Sequence, residues 1–357
     1  MTSRVISTWL DTIGMSVPII QAPMAGVSSP AMAAAVSNSG GLGSLGVGAM
    51  TAEKARAAIR AFRRLSDGAL NVNVFVHKPA HVDEAQQAAW VARLAPEFKR
   101  FGVTPPASLK EIYTSFLVDD DMLATLVAEH PRVVSFHFGL PRPDQVKALH
   151  DADVHLMASA TNVREAKALE AAGIDAIVAQ GYEAGGHRGM FDPDTEDSAL
   201  GTIALTRLLV ANLRIPVIAA GGIMDGAGIA AVLELGAAAA QLGTAFVVTD
   251  ESLADAGYRK MMASDAAHAT VMTRAISGRP ARSLASLFTR LGASVQAADI
   301  PGYPIGYDAG KALNAAARAA GETGYGAYWA GQGAPLARPM SAQALMRTLI
   351  DEWQSAS

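Results

Sequence analysis

The stretch IPVIAAGGIMDGAGIAAVLELGAAAAQLGTAF, Ile215 to Phe246, reads as one strand–turn–helix–strand unit. Its first apolar run, Ile215 to Gly221, is short, continuous and β-branched at its start, the pattern of a strand buried on both faces. Two glycines and an aspartate then break the chain, Gly226 to Leu235 carries a helical pattern, and Ala238 to Phe246 returns to the strand pattern. Strands joined through a helix run parallel, because the helix carries the chain back to the starting edge.

The same rhythm extends outward in both directions. Apolar runs occur at Val17 to Ala22, Gly41 to Leu45, Asn71 to Val76, Arg132 to Phe138, Asp153 to Ser159 and Ile174 to Gln180. Helical segments follow at Pro30 to Asn38, Ala52 to Leu65 and Val163 to Ala172. With the two strands of the opening stretch this makes eight βα units, which predicts a closed (β/α)8 TIM barrel. An open doubly wound sheet would show fewer strands and a GxGxxG turn after the first, whereas the first turn here is QAPMAGVSSP. The count interrupts once, at an insertion of about residues 77–131 after strand three, whose TPPASLKEIYTSF stretch reads as a proline break followed by a helix. Beyond about Asp250 the strand rhythm stops. Residues 1–250 are therefore expected to form the barrel and 251–357 a mainly helical cap over its mouth.

Composition narrows the chemistry. Half of the 357 residues are hydrophobic and 17% are charged, as suits parallel strands sandwiched by helices. The net charge of −4, with dispersed lysines and arginines, argues against nucleic acid as a partner. Cysteine is absent, which removes disulfides, thiolate metal sites and cysteine nucleophiles, and no metal site is expected. The amino-terminal MTSRVISTWLDTIGM lacks the apolar core of a leader, and no uninterrupted apolar run is long enough to span a membrane, so a cytoplasmic protein is expected.

Active sites of such barrels lie at the carboxyl ends of the strands, and the last two strands commonly hold a phosphate. Here those ends read AAGGIMDG and QLGTAF, in which Gly221 and Gly222 allow close backbone approach, the following helix start adds positive charge, and Gly243 and Thr244 add an amide and a hydroxyl. The loop after strand six, AQGYEAGGHRGMF, gathers Gln180, Gly185, His187 and Arg188, a set that packing explains poorly. Asn71 and Asn73 share a face of strand three; either suits a flavin edge or a backbone partner. His137 ends strand four in SFHFG, with Phe136 and Phe138 expected to point the opposite way. Tyr303, Tyr307 and Lys311 recur every four residues, so a helix starting near Ile305 puts the last two on one face.

Taken in order, PIIQAPMAGVSSPAMAAAVSNSGGLGSLGVGAMT, NVNVFV, SFHFGLP, AQGYEAGGHRG, VIAAGGIMDG and QLGTAF resemble class I of the nitronate monooxygenases, formerly 2-nitropropane dioxygenases. The resemblance implies an FMN enzyme that oxidises alkyl nitronates, propionate 3-nitronate among them, with O₂ to a carbonyl compound plus nitrite and nitrate, by way of a flavin semiquinone. It implies that Ala22, Pro23, Met24, Asn73, Gln180 and Gly185 contact FMN, and that Gly221, Gly222, Gln241, Leu242, Gly243 and Thr244 hold its phosphate end. His187 is then the catalytic residue, and His137, Tyr113, Tyr303, Tyr307 and Lys311 bind substrate. The chain is expected to act as a monomer or homodimer.

A nitronate is already an anion, so such a site needs donors or cations rather than a strong base, and His187 and Lys311 are the candidates. Neutral nitroalkanes would further need His187 as general base. The alternative is an FMN- and NAD(P)H-dependent reductase on the same barrel, of enoyl-acyl carrier protein or quinone reductase type. A flavin-free sugar-phosphate isomerase would use the same phosphate turn, and a non-catalytic flavin-storage protein would have a pocket closed to small anions.

Overall fold

The computed structural model describes residues 9–356; residues 1–8, on which the absence of a leader was read, lie outside the described residues. The chain opens through β1 (Ile19–Gln21), α1 (Pro30–Asn38), β2 (Gly43–Gly46), α2 (Ala52–Arg63) and β3 (Leu70–Phe75). The insertion contributes α3 (Glu84–Arg100) and α4 (Asp120–Glu129), after which β4 (Val133–His137), α5 (Pro143–Asp151), β5 (His155–Ala160), α6 (Val163–Ala171) and β6 (Ala176–Gln180) follow. A two-residue strand β7 (Gly186–His187) lies in the next loop, then α7 (Thr202–Asn212), β8 (Val217–Ala220), α8 (Gly226–Glu234) and β9 (Ala239–Leu242). The remainder holds α9 (Ala256–Met262), β10 (Thr270–Thr273), β11 (Ala281–Leu284), α10 (Leu287–Gly292), α11 (Ile305–Ala319) and α12 (Ala342–Ala356).

Eight parallel strands pair in the order β1-β9-β8-β6-β5-β4-β3-β2. The ring closes where Gln21 N–H donates to the Leu42 carbonyl and Leu42 N–H to the Ile19 carbonyl, each at 3.0 Å. The fold is the (β/α)8 barrel that the alternating runs predict. Ile20, Leu42, Val133, Met157, Val178 and Ile218 meet in one cluster drawn from strands around the whole ring, and Ile13 and Met15 pack against its floor. Helix starts follow local chemistry: Ser29, Thr51, Asn162 and Asp225 each cap a helix through a side-chain oxygen.

The insertion and the carboxyl-terminal region together build the cap. Trp90, Leu94 and Phe98 of α3 share a core with Ile276, Phe288 and Leu313, tying the insertion to α11. The expected helix within TPPASLKEIYTSF is not formed. The segment runs irregularly and is tied down by contacts outside itself: the backbone Lys110 N–H donates to Asp308 at 2.8 Å, and the Ser115 side chain donates through Oγ to the His77 carbonyl at 2.6 Å. The cap also contains a three-stranded antiparallel sheet, β10-β11-β7, whose third strand belongs to the barrel loop that carries His187. The last helix leaves the cap: Leu345, Met346 and Leu349 of α12 pack with Ile19, Met32, Val36 and Ile229 in the barrel wall. The cap expected over 251–357 thus loses its final helix to the barrel, because an apolar stripe on α12 fills the gap beside α1 and α8.

Candidate active site

One cavity of about 510 Å³ opens at the carboxyl ends of the barrel strands, beneath the cap. That size is ordinary for a cofactor-and-substrate site. Every residue predicted for the site lines it except Leu242. The Leu242 side chain turns outward into the wall with Met32 and Ile229, and only its carbonyl serves the site, accepting from Ala22 N–H at 2.8 Å. Strand alternation explains this, since its neighbours Gln241 and Gly243 face the mouth.

The ends of β8 and β9 form the polar cradle. Gly221 and Gly222 sit at φ 122 and 71, conformations a side chain would strain. Among the described residues, the amides of Gly222, Ile223 and Thr244 have no partner within the protein and border the cavity. The helix start expected to add positive charge does not do so. Asp225 caps α8 by accepting from Gly228 N–H, and Glu352 of α12 accepts from Gly226 N–H, both at 2.9 Å. Two carboxylates occupy that terminus, which leaves the loop amides as the open donors at this end of the cavity. Residues Gly185 and Gly331 touch so closely that a Cβ on Gly185 would fall 2.5 Å from Gly331 N. That seam joins cap to barrel, with Gly331 N–H also donating to Thr244 Oγ1 at 3.0 Å.

The β1 loop is held by Gln21, a residue the sequence reading passed over. Its Oε1 accepts from Ser44 N–H at 2.8 Å, its Nε2 donates to Ser28 Oγ at 2.9 Å, and Ser28 Oγ accepts from Met24 N–H at 3.0 Å. Asn73 Nδ2 donates to Ser135 Oγ at 3.0 Å, leaving its carbonyl oxygen toward the cavity without a protein partner in that network. Asn71 does not line the cavity; it is a buried amide donating to Ser44 Oγ at 3.0 Å. Gln180 is committed to the loop that follows it: Nε2 donates to the His187 carbonyl at 2.9 Å and Oε1 accepts from Gly189 N–H at 2.7 Å. Buried Arg188 clamps the same loop by pairing with Asp197 at 2.7 Å and donating to the Gln180 carbonyl.

His187 is fixed from both sides. Its backbone pairs with Ala281 across β7 and β11, and its Nε2 lies 2.9 Å from Ser277 Oγ. With the Ser277 hydroxyl hydrogen on the Arg279 carbonyl at 3.2 Å, its oxygen accepts from His187 Nε2–H, the tautomer that leaves Nδ1 as the ring's lone pair. Burial pulls the His187 imidazole down to about 3, with the neighbouring His137 and Arg279 acting in the same direction. His137 is lowered to about 4, again chiefly by burial. His187 is therefore a neutral imidazole in the protein alone, and the cation expected there is supplied by Lys311.

Lys311 is the only formally charged side chain among the cavity's lining residues. It follows Tyr307 by one turn of α11, as the four-residue spacing predicts, and its ammonium lies 5.2 Å from the Tyr113 ring and 5.3 Å from that of Tyr307. Tyr303 packs 5.3 Å from His187 and 6.1 Å from Tyr113. Burial raises the phenols of Tyr113 and Tyr303 and pushes Tyr307 up to about 12, so all three stay protonated donors near neutral pH. Phe138 also reaches the cavity, contrary to the alternation expected in SFHFG, because its φ of 84 turns the chain out of the strand. Trp329, 5.0 Å from His187, and Ser277 come from cap loops legible only as glycine- and proline-rich punctuation.

Fold and site define a barrel enzyme whose mouth carries open loop amides at one end, one ammonium among phenols at the other and neutral histidines between. The family model for nitronate monooxygenase matches residues 7–352. The chain is 61% identical to a nitronate monooxygenase of Paraburkholderia phytofirmans over 96% of its length and 94% of the relative's. It is 52% identical to that of Pseudomonas aeruginosa, covering 95% of this chain and 97% of the relative. Among solved structures, nitroalkane oxidase from Streptomyces ansochromogenes superposes with a TM-score of 0.88 at 40% identity, over 97% of this chain and 98% of the other. FabK from Thermotoga maritima gives 0.73 at 29% identity, over 99% and 97%. The chain belongs to the nitronate monooxygenase family of flavin-dependent oxidoreductases. Among the described residues, no helix is long and apolar enough to cross a membrane.

Proposed function

We propose that this protein binds FMN in the barrel mouth and oxidises small alkyl nitronates, propionate 3-nitronate in particular, with O₂. The observation that carries the reading is the charge pattern of the cavity: one lysine, no carboxylate, four tyrosines kept protonated by burial and the open amides of Gly222, Ile223 and Thr244. A dianionic phosphate suits the amides of Gly222, Ile223 and Thr244, while Gly46 and Gly185 let the β1 loop and the cap backbone pack directly against the barrel ends that border the cavity. Ala22, Pro23, Met24, Asn73, Gln180, Gly185, Gly221, Gln241 and Gly243 would complete the FMN site. Bound there, FMN supplies the electron acceptor that the side chains lack.

The protein's own part is to bind and orient. Lys311 attracts the anionic substrate and, flanked by Tyr113 and Tyr307, holds a carboxylate or nitronate oxygen through charge-assisted hydrogen bonds. Tyr303, buried against His187, offers a second donor. Neutral His187 presents Nδ1 to the substrate's reacting carbon, a role that an anionic nitronate needs only for positioning and a neutral nitroalkane needs for proton removal. The cap's aromatic wall excludes bulk water from the anion.

The test is the visible spectrum of the purified protein followed by anaerobic addition of propionate 3-nitronate and, separately, NADH. A yellow protein that reacts with the nitronate and stays silent with NADH supports this reading. Bleaching by NADH alone would replace it with a reductase, and a colourless protein would remove FMN from it.

A further inference from the structure

Phe138 leaves β4 at φ 84, where a bulky side chain is strained, and strain of this kind persists where surrounding structure enforces it. The turn buries its ring at the centre of four cationic or protonatable groups. The guanidinium carbon of Arg279 lies 4.2 Å from the ring centroid, and the imidazoles of His137, His187 and His77 lie at 4.5, 5.6 and 6.3 Å. Arg279 is 4% exposed; it donates to the Met190 carbonyl, its Nε has no partner, and no carboxylate pairs with it among the described residues. It does not line the cavity, so it is not a substrate ligand. A buried guanidinium without a carboxylate is costly.

We propose that Arg279, stacked on Phe138, is a positioning residue: a fixed buried charge that keeps His77, His137 and His187 uncharged and locks the hydrogen-bond pattern presenting His187 Nδ1 to the substrate. The inference rests on the reading that His187 faces substrate. Arg279 and the three imidazoles all pack around the Phe138 ring in a buried interior, so protonating any of the rings adds a like charge to the same cluster and is opposed while Arg279 is present. His77 shows the effect best: neither ring nitrogen makes a hydrogen bond of sound geometry, and the Tyr113 backbone beside it, which acts upward, is outweighed by burial and Arg279. Burial first and Arg279 second pull it down to about 4.

The surroundings reinforce the sign. Tyr303, a cap residue that acts on Arg279, stays protonated, and Arg274 adds like charge. Glu165 and Asp192 are the opposing charges, but Glu165 is engaged with Thr161 and Phe191 N–H rather than with Arg279. On the far side of the cavity Lys311 is also positive, and Tyr113 and Tyr307 are neutral donors.

The experiment is an NMR titration of ring-labelled histidine in the flavin-loaded protein, wild type against R279K and R279Q, with single histidine substitutions assigning the eight signals. The wild type should keep these three rings neutral down to about pH 5, whereas an ordinary histidine titrates near 6.5. R279Q should raise their midpoints by about one unit, a tenfold gain in proton affinity, and R279K should leave them near the wild-type positions. R279M replaces R279Q if that variant misfolds. Wild-type midpoints near the ordinary value, or unmoved midpoints in the neutral variants, would overturn the proposal. Because the readout needs no substrate, either result stands apart from whether nitronates are turned over.

Discussion

His137 Nε2 lies 3.1 Å from the backbone carbonyl of His187, while its Nδ1 lies 2.9 Å from Ser159 Oγ. A carbonyl only accepts, so Nε2 carries the proton and Ser159 donates to Nδ1. One histidine thereby holds the backbone of the other, and Gln180 supplies the second donor to that same carbonyl. His137→Ala should therefore cost about 1–3 kcal/mol of stability and lower kcat more than it changes KM. Thermal melts and steady-state rates check this, and an unchanged kcat would mean that Gln180 alone holds His187.

His187→Asn separates the two substrate forms. Asparagine keeps a polar group but no proton acceptor of imidazole type, so turnover of nitroalkanes should fall about 10²-fold or more while nitronate turnover falls less. Equal losses on both, with flavin content matched, would remove His187 from the role of base.

Lys311→Met preserves the stem and deletes the ammonium. KM for propionate 3-nitronate should rise about 10- to 100-fold, the worth of a charge-assisted contact, with a smaller rise for an alkyl nitronate lacking a carboxylate. Identical effects on both substrates would place the ammonium at the nitronate group instead.

Stability should depend on pH through the buried histidines. His77 and His137 at about 4 and His187 at about 3 lie below the unfolded value of 6.5, so between these limits the unfolded chain binds more protons. The sign follows: their contribution is fully present above 6.5 and is lost as pH falls toward the folded values. Melting temperature should be flat above about pH 7 and decline steadily below 6.5. A curve flat to pH 4 would contradict the neutral cluster.

Gly222→Ala adds a Cβ at φ 71, 3.3 Å from Glu183 Cβ. The strain costs about 1–2 kcal/mol and displaces the open amide, so the purified variant should retain less flavin than wild type while remaining folded. Absorbance ratios of flavin to protein measure it directly; full occupancy would mean that the phosphate end is held elsewhere.

The eight-strand count, the barrel and the polar part of the cavity lining were legible in the sequence because they depend on local period and on which residues follow each apolar run. Pro30–Asn38, Ile305 as a helix start, and the glycine pairs after β6 and β8 are all local signals, enforced by backbone sterics and caps. What the sequence did not carry is decided by contacts between distant segments. Phe138 faces the cavity because of a positive φ that no alternation rule anticipates, and TPPASLKEIYTSF stays irregular because Asp308 and His77 take its hydrogen bonds. Leu242 turns away and α12 rejoins the barrel because both fill one apolar wall. The partners of His187, Ser277 and Arg279, lie some ninety residues downstream of it. Composition and spacing choose the residues of this site; only closure of the ring and seating of the cap bring a buried charge, a strained ring and three histidines into one electrostatic unit.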